Sequence, residues 1–380
     1  MHKDQRLSEA GSASQSFSLN LSRRHFLALS LAIGVAGCGT EQKTTLAPQL
    51  TSTPPAKAFS PRRPSASIEP ENARRVVSLA ALEVDAGEVK SVAWSPDSRM
   101  LALGAYRNLQ IWDPTTGKQV AAMSRHSGQI WWVSWSPDGS LLASAAEDGT
   151  ILLWDARQRT LKHVLQSQSQ IVLSVTWSPD GRRVLAGTID GTLEMWDVRS
   201  GTRLATWKGH SPQDAGKSGP WALAVFAAYW SPDGRRIASA REDNIVQLWD
   251  AGTGKVLSVW QTNMGSANVV AWSPDGQTLA VTNDLGSVQL WSVRTGKTVA
   301  VLDAHSKAGW ASMVIWSPNG RMLASTREDG TLQLWDAGTK KEIAVLQGHK
   351  SEVWGAAWSP DGLRLASGSK DETVQLWGVP

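Results

Sequence analysis

Any chemistry in this chain would depend on few histidines and one thiol. The 380 residues include seven histidines and a single cysteine, Cys38. Imidazole and thiolate groups serve as general bases, nucleophiles and metal ligands. One cysteine forms no internal disulfide, and no spacing of His, Asp and Glu is typical of a metal site. Thr-Gly-Lys at 253–255 is not a phosphate loop, because Trp249 stands where the first glycine should be. We therefore expect no cofactor, no metal site and no catalytic residue.

A tryptophan repeat must position the groups that remain. Trp-Ser-Pro followed by Asp or Asn occurs seven times, and a second tryptophan follows each first one by 18 or 19 residues. The first set is Trp94, Trp135, Trp177, Trp230, Trp272, Trp316 and Trp358, and the second is Trp112, Trp154, Trp196, Trp249, Trp291, Trp335 and Trp377. Most periods are 41 to 44 residues, which is typical of a four-stranded propeller blade, and seven copies are enough to close a ring.

Each repeat predicts strands separated by turns. In one copy, a Ser-Pro-Asp-Gly turn at 136–139 is followed by a short apolar strand at 141–144 and an acidic turn at 147–149. A third strand then ends at Trp154, and a fourth follows in several copies after a Thr-Gly-Lys-like turn. Period-two runs bounded by turn residues favour strands, and no helical period interrupts them. The sequence predicts an all-β, seven-bladed propeller.

The repeats resemble WD40 repeats, and the resemblance covers residues 76–380. It implies a hydrogen-bonded set of His, Ser, Asp and Trp inside a blade, which we call a tetrad. Four repeats match it at all positions: His126, Ser144, Asp148 and Trp154; His210, Ser239, Asp243 and Trp249; His305, Ser325, Asp329 and Trp335; and His349, Ser367, Asp371 and Trp377. Blades 1, 3 and 5 depart from the pattern and are expected to rely more on apolar packing.

The ends of the repeat region predict how the ring closes. The seventh repeat reaches Pro380 without a fourth strand, and residues 76–84 read as a strand without a blade of its own. By the resemblance, we expect this N-terminal strand to complete blade 7. Closure would remove an exposed sheet edge that invites aggregation.

The N-terminal residues predict export and lipid attachment. Arg23, Arg24, Phe26 and Leu27 resemble a twin-arginine signal, and the apolar run that follows is too short to span a bilayer. The tetrapeptide ending at Cys38 resembles a bacterial lipobox, in which the cysteine is lipidated. We expect residues 1–37 to be a signal peptide, 38–75 to be the lipidated cysteine and a disordered Ser/Thr/Pro-rich tether, and 76–380 to be the propeller.

The resemblance also predicts a partner-binding face. Propellers of this family bind partners through the loops that precede the first strand and follow the second strand of each blade. The residues expected there are Tyr106, Trp131, Glu147, Phe226, Arg241, Glu242, Trp310, Arg327, Glu328, Trp354 and Lys370. Alternatively, Trp131, Trp310 and Trp354 cap the blade cores. A polar insertion at 211–220 is expected to project from the same face.

These features predict a protein–protein interaction scaffold that is not an enzyme. We expect an exported monomer, anchored by lipid to the outside of the cytoplasmic membrane or elsewhere in the cell envelope, with unknown protein partners. The net charge is only +4, and no Lys/Arg cluster is interleaved with aromatics, so nucleic acid is not expected as a partner. The alternatives are a propeller that binds a glycan or small ligand through the aromatic rim and, third, an enzyme that uses the central channel.

Overall fold

The computed structural model describes residues 61–85, 87–209, 223–262, 266–302 and 311–380. The residues expected to form a signal peptide, with Arg23, Arg24, Phe26 and Leu27, lie outside the described residues, as do Cys38, the 211–220 insertion, His210, His305 and Trp310. Among the described residues, no helix is long or apolar enough to cross a membrane. The only helix described is a short 3-10 helix, Ala73–Arg75.

The described chain contains 28 strands. They are β1 Val77–Glu83, β2 Val89–Trp94, β3 Leu101–Ala105, β4 Asn108–Asp113, β5 Lys118–Ser124, β6 Ile130–Trp135, β7 Leu141–Ala146, β8 Thr150–Asp155, β9 Thr160–Gln166, β10 Val172–Trp177, β11 Arg183–Thr188, β12 Thr192–Asp197, β13 Arg203–Lys208, β14 Val225–Trp230, β15 Arg236–Arg241, β16 Ile245–Asp250, β17 Val256–Gln261, β18 Ala267–Trp272, β19 Thr278–Asn283, β20 Val288–Ser292, β21 Lys297–Leu302, β22 Ala311–Trp316, β23 Met322–Arg327, β24 Thr331–Asp336, β25 Glu342–Gln347, β26 Val353–Trp358, β27 Leu365–Ser369 and β28 Thr373–Gly378.

These strands form seven four-stranded antiparallel sheets, which are the blades. Blades 1 to 6 each contain four consecutive strands, beginning with β2–β5 and ending with β22–β25. Blade 7 contains β26, β27, β28 and β1, in that order from the channel outwards. The predicted all-β, seven-bladed propeller is confirmed.

The ring closes through the N-terminal strand, as predicted. Strand β1 pairs antiparallel with β28, with Val77 opposite Gly378 at one end and Glu83 opposite Thr373 at the other. Residues from the two ends of the propeller sequence therefore share one sheet. Blade 7 depends on contacts of high sequence separation, whereas each of the other blades is local in sequence.

Residues 62–75, which we call the strap, pack on blades 6 and 7. The Ile68 side chain is 1% exposed within the apolar cluster of these blades, and its amide donates to the Gly362 carbonyl at 2.9 Å. The Ser65 amide donates to the Val379 carbonyl at 2.8 Å. The expectation that the disordered tether reaches residue 75 was therefore wrong for the strap. The strap is anchored by only two buried side chains, Ile68 and Ala73. Its sequence has no periodic apolar pattern from which this packing could be predicted.

Each Trp-Ser-Pro turn holds its own backbone. In blade 2, the Ser136 hydroxyl donates to Asp138 at 2.6 Å and accepts from the Leu141 amide at 2.9 Å. Gly139 supplies the positive φ of 71° that ends the turn. In blade 1 this position is Ser98, at φ 60°, and its hydroxyl accepts the Asp361 amide of blade 7 at 3.1 Å. Serine in place of glycine at this position thus adds a hydrogen bond between blade 1 and blade 7.

The tryptophans of these turns also join neighbouring blades, which the sequence did not reveal. In five blades the indole N–H donates to a carbonyl of the preceding blade, at 3.1 or 3.2 Å. The pairs are Trp94 with Ala357, Trp135 with Ala93, Trp177 with Ser134, Trp272 with Tyr229, and Trp316 with Ala271. The indole nitrogens of Trp230 and Trp358 have no hydrogen-bond partner among the described residues. Between blades 3 and 4, the Thr176 hydroxyl donates to the Ala228 carbonyl at 2.8 Å instead.

Candidate interaction surface

The structure brings all four tetrad residues together in blades 2 and 7. In blade 7, His349 Nδ1 lies 3.2 Å from Asp371 Oδ2 and Nε2 lies 2.7 Å from Ser367 Oγ. The Trp377 indole donates to the same hydroxyl at 2.8 Å. The blade 2 set has matching geometry: His126 lies 3.0 Å from Asp148 and 2.8 Å from Ser144, and Trp154 lies 3.1 Å from Ser144.

The blade 7 tetrad requires a neutral histidine. Because an indole can only donate, Ser367 Oγ accepts from Trp377 and has its own proton to give to His349 Nε2. The ring proton then lies on Nδ1 and is donated to Asp371. Burial lowers the pKa of His349 despite this carboxylate, which favours the same neutral form. Both imidazole nitrogens are therefore committed to the sheet.

Blades 4 and 6 show only part of the expected tetrad, since their histidines lie outside the described residues. Trp249 donates to Ser239, and Trp335 donates to Ser325, each at 2.9 Å. In blade 4 the carboxylate forms an ion pair with a buried arginine, Arg241 to Asp243. In blade 6 the corresponding pair, Arg327 and Asp329, is 4.0 Å apart.

In blades 1 and 5 the tryptophan has a different polar partner. Trp112 donates to Gln110 at 2.8 Å, and Trp291 donates to Gln289 at 3.2 Å. Each glutamine precedes its tryptophan by two residues on the third strand, so it reaches the indole without help from a neighbouring strand. In blade 3 the equivalent residue is Glu194, which is fully buried and lies 3.2 Å from Arg203. Apolar packing alone therefore does not replace the tetrad in blades 1 and 5, whereas in blade 3 the Trp196 indole nitrogen has no hydrogen-bond partner among the described residues.

A buried lysine is the centre of the upper face of blades 7, 1 and 2. We use upper face for the end of the ring that carries the loops between second and third strands, and lower face for the end that carries the Trp-Ser-Pro turns. Lys90 Nζ lies 3.6 Å from the centre of the Trp354 ring and 5.2 Å from that of Trp131. It also lies 3.0 Å from Glu88 Oε2, and the Lys90 side chain is 5% exposed. The indoles of the two blades that flank blade 1 thus enclose one ammonium group. This is a favourable cation–π arrangement when the ammonium group is desolvated.

Most residues expected to contact a partner are buried instead. Trp131, Phe226, Arg241, Glu242, Arg327 and Trp354 are all at most 7% exposed. The expectation that these six side chains face a partner was wrong, and the burial of Trp131 and Trp354 agrees with the alternative that they cap the blade cores. Seven first strands converge on the ring axis, so the second residue of each strand is covered by its neighbours. Glu147, Glu328 and Lys370 are half-buried.

Tyr106 remains exposed on the upper face. It is 47% exposed and lies in the two-residue turn between β3 and β4, with φ at 49°. Glycine is the usual residue at a positive φ in such a hairpin, and a tyrosine there is strained. The Arg107 guanidinium lies 5.0 Å from its ring centre. Nearby, burial raises the pKa of Glu147, although the Gln129 amide, Lys90 and Arg107 oppose the shift.

The ring axis is partly filled by side chains. Trp132 of blade 2 and Tyr229 of blade 4 meet edge to face, with centroids 5.9 Å apart, and cluster with Met313 and Ile315 of blade 6. Towards the lower face, a cavity of about 650 Å³ is lined by the tryptophans and prolines of the seven Trp-Ser-Pro turns. Within the described ranges, no three His, Cys, Asp or Glu side chains are grouped so that they could hold a metal ion.

Comparison with known families agrees with this architecture. The WD domain, G-beta repeat, matches residues 78–113, 117–155 and 159–197. The second and third matches each run from the outer strand of one blade through the first three strands of the next, the phase that lets an N-terminal strand close the ring. Fold and repeats together define a WD40-type β-propeller. Residues 225–379, which form blades 4 to 7 except for β1, match the first β-propeller of WDR19. No curated protein matches the chain.

Proposed function

We propose that this chain is an exported, lipid-anchored scaffold that binds other proteins through the upper face of its propeller. WD40 propellers are in general protein-interaction scaffolds, which supports the coarse function. The finer assignment, to a membrane-anchored protein outside the cytoplasm, rests on the twin-arginine-like residues and Cys38.

The position of Tyr106 carries the proposal for the upper face. A residue held at a strained positive φ and exposed to solvent costs stability, which is typical of functional positions. Tyrosine and arginine are enriched at interface hot spots because they bury a large area while keeping a polar end. The Tyr106 amide donates to the Glu88 carbonyl at 3.2 Å, and the Glu88 carboxylate pairs with the enclosed Lys90, so the turn of Tyr106 and Arg107 is tied to the segment that carries Lys90.

We also infer that the chain is not an enzyme. His126 and His349 are held by serine and aspartate within blades, and Trp132 and Tyr229 narrow the channel that a substrate would enter. If the chain turned over a substrate, and substitution of Asp148 or Asp371 abolished that turnover without unfolding the protein, this inference would be contradicted.

A pair of exposed-residue variants tests the scaffold proposal. Tyr106→Gly combined with Arg107→Ala removes both side chains and relieves the strained φ, so the melting temperature should not fall. Crosslinking in intact cells should capture a protein partner with the parent chain and lose it with this variant. The control, Val164→Ala with Arg157→Ala, changes exposed residues of blade 2 and should keep the crosslink. Retention of the partner by the Tyr106 and Arg107 variant would contradict an upper-face interface.

The lower cavity favours a second candidate function, the binding of a small apolar ligand. Its volume and aromatic lining fall within the usual range for ligand pockets. Trp131 and Trp354, in contrast, are too buried to form a binding rim for a glycan. A ligand in the cavity should shift tryptophan fluorescence equally in the parent chain and in the variant that lacks the Tyr106 and Arg107 side chains. Loss of the fluorescence shift in that variant would mean that the ligand binds at the upper face and not in the cavity.

A further inference from the structure

The strap carries four exposed arginines. Arg62, Arg63, Arg74 and Arg75 are exposed, and none forms an ion pair within the part of the chain that the structure describes. The two acidic residues of the strap are engaged elsewhere. Arg321 of blade 6 lies 2.9 Å from Glu69 and also pairs with Glu71. The outward charge of the strap is therefore positive.

The fold holds these arginines close together. The Arg62 amide donates to the Leu79 carbonyl of β1 at 3.2 Å, and Arg75 precedes Leu79 by only four residues. Four residues of extended chain span roughly 13 Å, so the backbones of the two arginine pairs lie near one another, beside the outer strands of blades 6 and 7. Ile68 anchors the segment between them. The positive charge is thus part of a folded surface and does not belong to a free tail.

We propose that this strap lies against anionic phospholipid headgroups. The inference rests on the proposed anchoring, since Cys38 precedes Pro61 by 23 residues, which span at most about 80 Å. Guanidinium groups pair with phosphate in a bidentate manner, and basic residues beside a membrane are attracted to its negative surface. Charge complementarity and continuity with the proposed anchor both favour a lipid surface as the occupant.

The contact would orient the propeller. Strand β1 begins beside Gly378, near the lower face, and ends beside Thr373, which follows an upper-face turn. Because the strap precedes β1, it lies towards the lower face. Tyr106 lies in an upper-face turn and therefore points away from the lipid. A bound membrane would leave the proposed partner face open.

Vesicle sedimentation tests this inference without the lipid anchor. The chain from Gly39 onwards, which contains every described residue, is mixed with vesicles of phosphatidylcholine alone or of equal parts phosphatidylcholine and phosphatidylglycerol. We expect binding to the anionic vesicles only, weakened by added salt. Changing Arg62, Arg63, Arg74 and Arg75 to Gln should lower the partition coefficient at least about tenfold, with an unchanged melting temperature.

The control makes the same charge change elsewhere. Arg107, Arg125, Lys208 and Lys350 are exposed at upper-face ends of strands, away from the strap, and their change to Gln should leave vesicle binding nearly intact. Equal binding to both vesicle types, no binding, or equal loss in the two variants would overturn the proposal. None of these outcomes affects the crosslinking test with the Tyr106 and Arg107 variant. Failure of the lipid-contact proposal is therefore distinguishable from failure of the proposed scaffold function.

Discussion

The indole nitrogen of Trp94 donates to the carbonyl oxygen of Ala357 at 3.1 Å, which joins blade 1 to blade 7. The same bond recurs in four further blades, so the Trp-Ser-Pro motif connects blades as well as ending strands. Since Trp94 lies at the seam where the ring closes, this bond supplements the pairing of β1 with β28.

Replacing Trp94 by Phe should therefore weaken the ring. The change removes the inter-blade hydrogen bond and leaves the Ala357 carbonyl without that donor, a loss of about 1 kcal/mol beyond the lost packing. The matched control is Trp230→Phe, which removes an indole of similar burial whose nitrogen has no described partner. Urea unfolding should show the Trp94 variant less stable than the Trp230 variant. Equal losses would mean that the bond contributes nothing.

Ile68→Ala should destabilise the whole propeller. The side chain is 1% exposed among residues of blades 6 and 7, so its truncation should cost about 2 to 4 kcal/mol. The control Val345→Ala lies on the outer strand of blade 6 with 42% of its surface exposed, and should change stability by less than about 0.5 kcal/mol. Thermal or urea unfolding measures both. If Ile68→Ala left the free energy of unfolding unchanged, the strap would dock without supporting the fold.

Asn319→Asp should loosen the strap, although it restores the residue found in the other six turns. Asn319 uses its oxygen within the turn and donates its amide nitrogen to Glu69 at 2.9 Å. A carboxylate there would face Glu69, at a cost of about 0.5 to 1 kcal/mol. Tryptic cleavage within the strap should become roughly two- to fivefold faster. Adding Glu69→Gln should restore the slow cleavage, and failure of this rescue would contradict the pairing.

Blade 7 should lose stability as the pH falls through the ordinary pKa of histidine. Burial lowers the pKa of His349 below 6.5, so below that pH the unfolded chain binds a proton that the folded chain does not. The pKa of Asp371 is also lowered, because hydrogen bonds from Thr373 and Lys350 outweigh its burial, and this adds a further loss below 3.8. Urea unfolding at several pH values measures the slope. His349→Gln should flatten it near 6.5, and an unchanged slope would contradict the neutral tetrad.

The repeat spacing predicted the propeller and its closure because both follow from local turn chemistry. Ser-Pro-Asp-Gly turns and alternating strands recur within each repeat, and residues 76–84 read as a strand that lacked a blade. The strap could not be predicted in this way. Ile68 is one apolar residue in a Ser- and Pro-rich segment, and its partners lie more than 250 residues away.

The sequence predicted which residues lie at the upper face but not which of them are exposed to solvent. Counting from each Trp-Ser-Pro tryptophan identified Trp131 and Trp354, yet both enclose Lys90 because neighbouring blades converge there. No count along one chain shows which residues from separate blades meet. Glutamine also stands two residues before the second tryptophan in blades 4, 6 and 7, where the indole donates to serine. The apolar residues Leu103 and Val281 in place of that serine are the signal that could have identified Gln110 and Gln289 as partners.

The strap gives the seam of the propeller a form of strain relief. A pull on the chain that precedes residue 62 would first load the backbone bonds of Arg62 to Leu79 and of Ser65 to Val379, and then the buried side chain of Ile68. Only after these yield would the pull act on the first residue of β1, where it would begin to unpair from β28. Mechanical load would thus be taken up first by a short accessory segment.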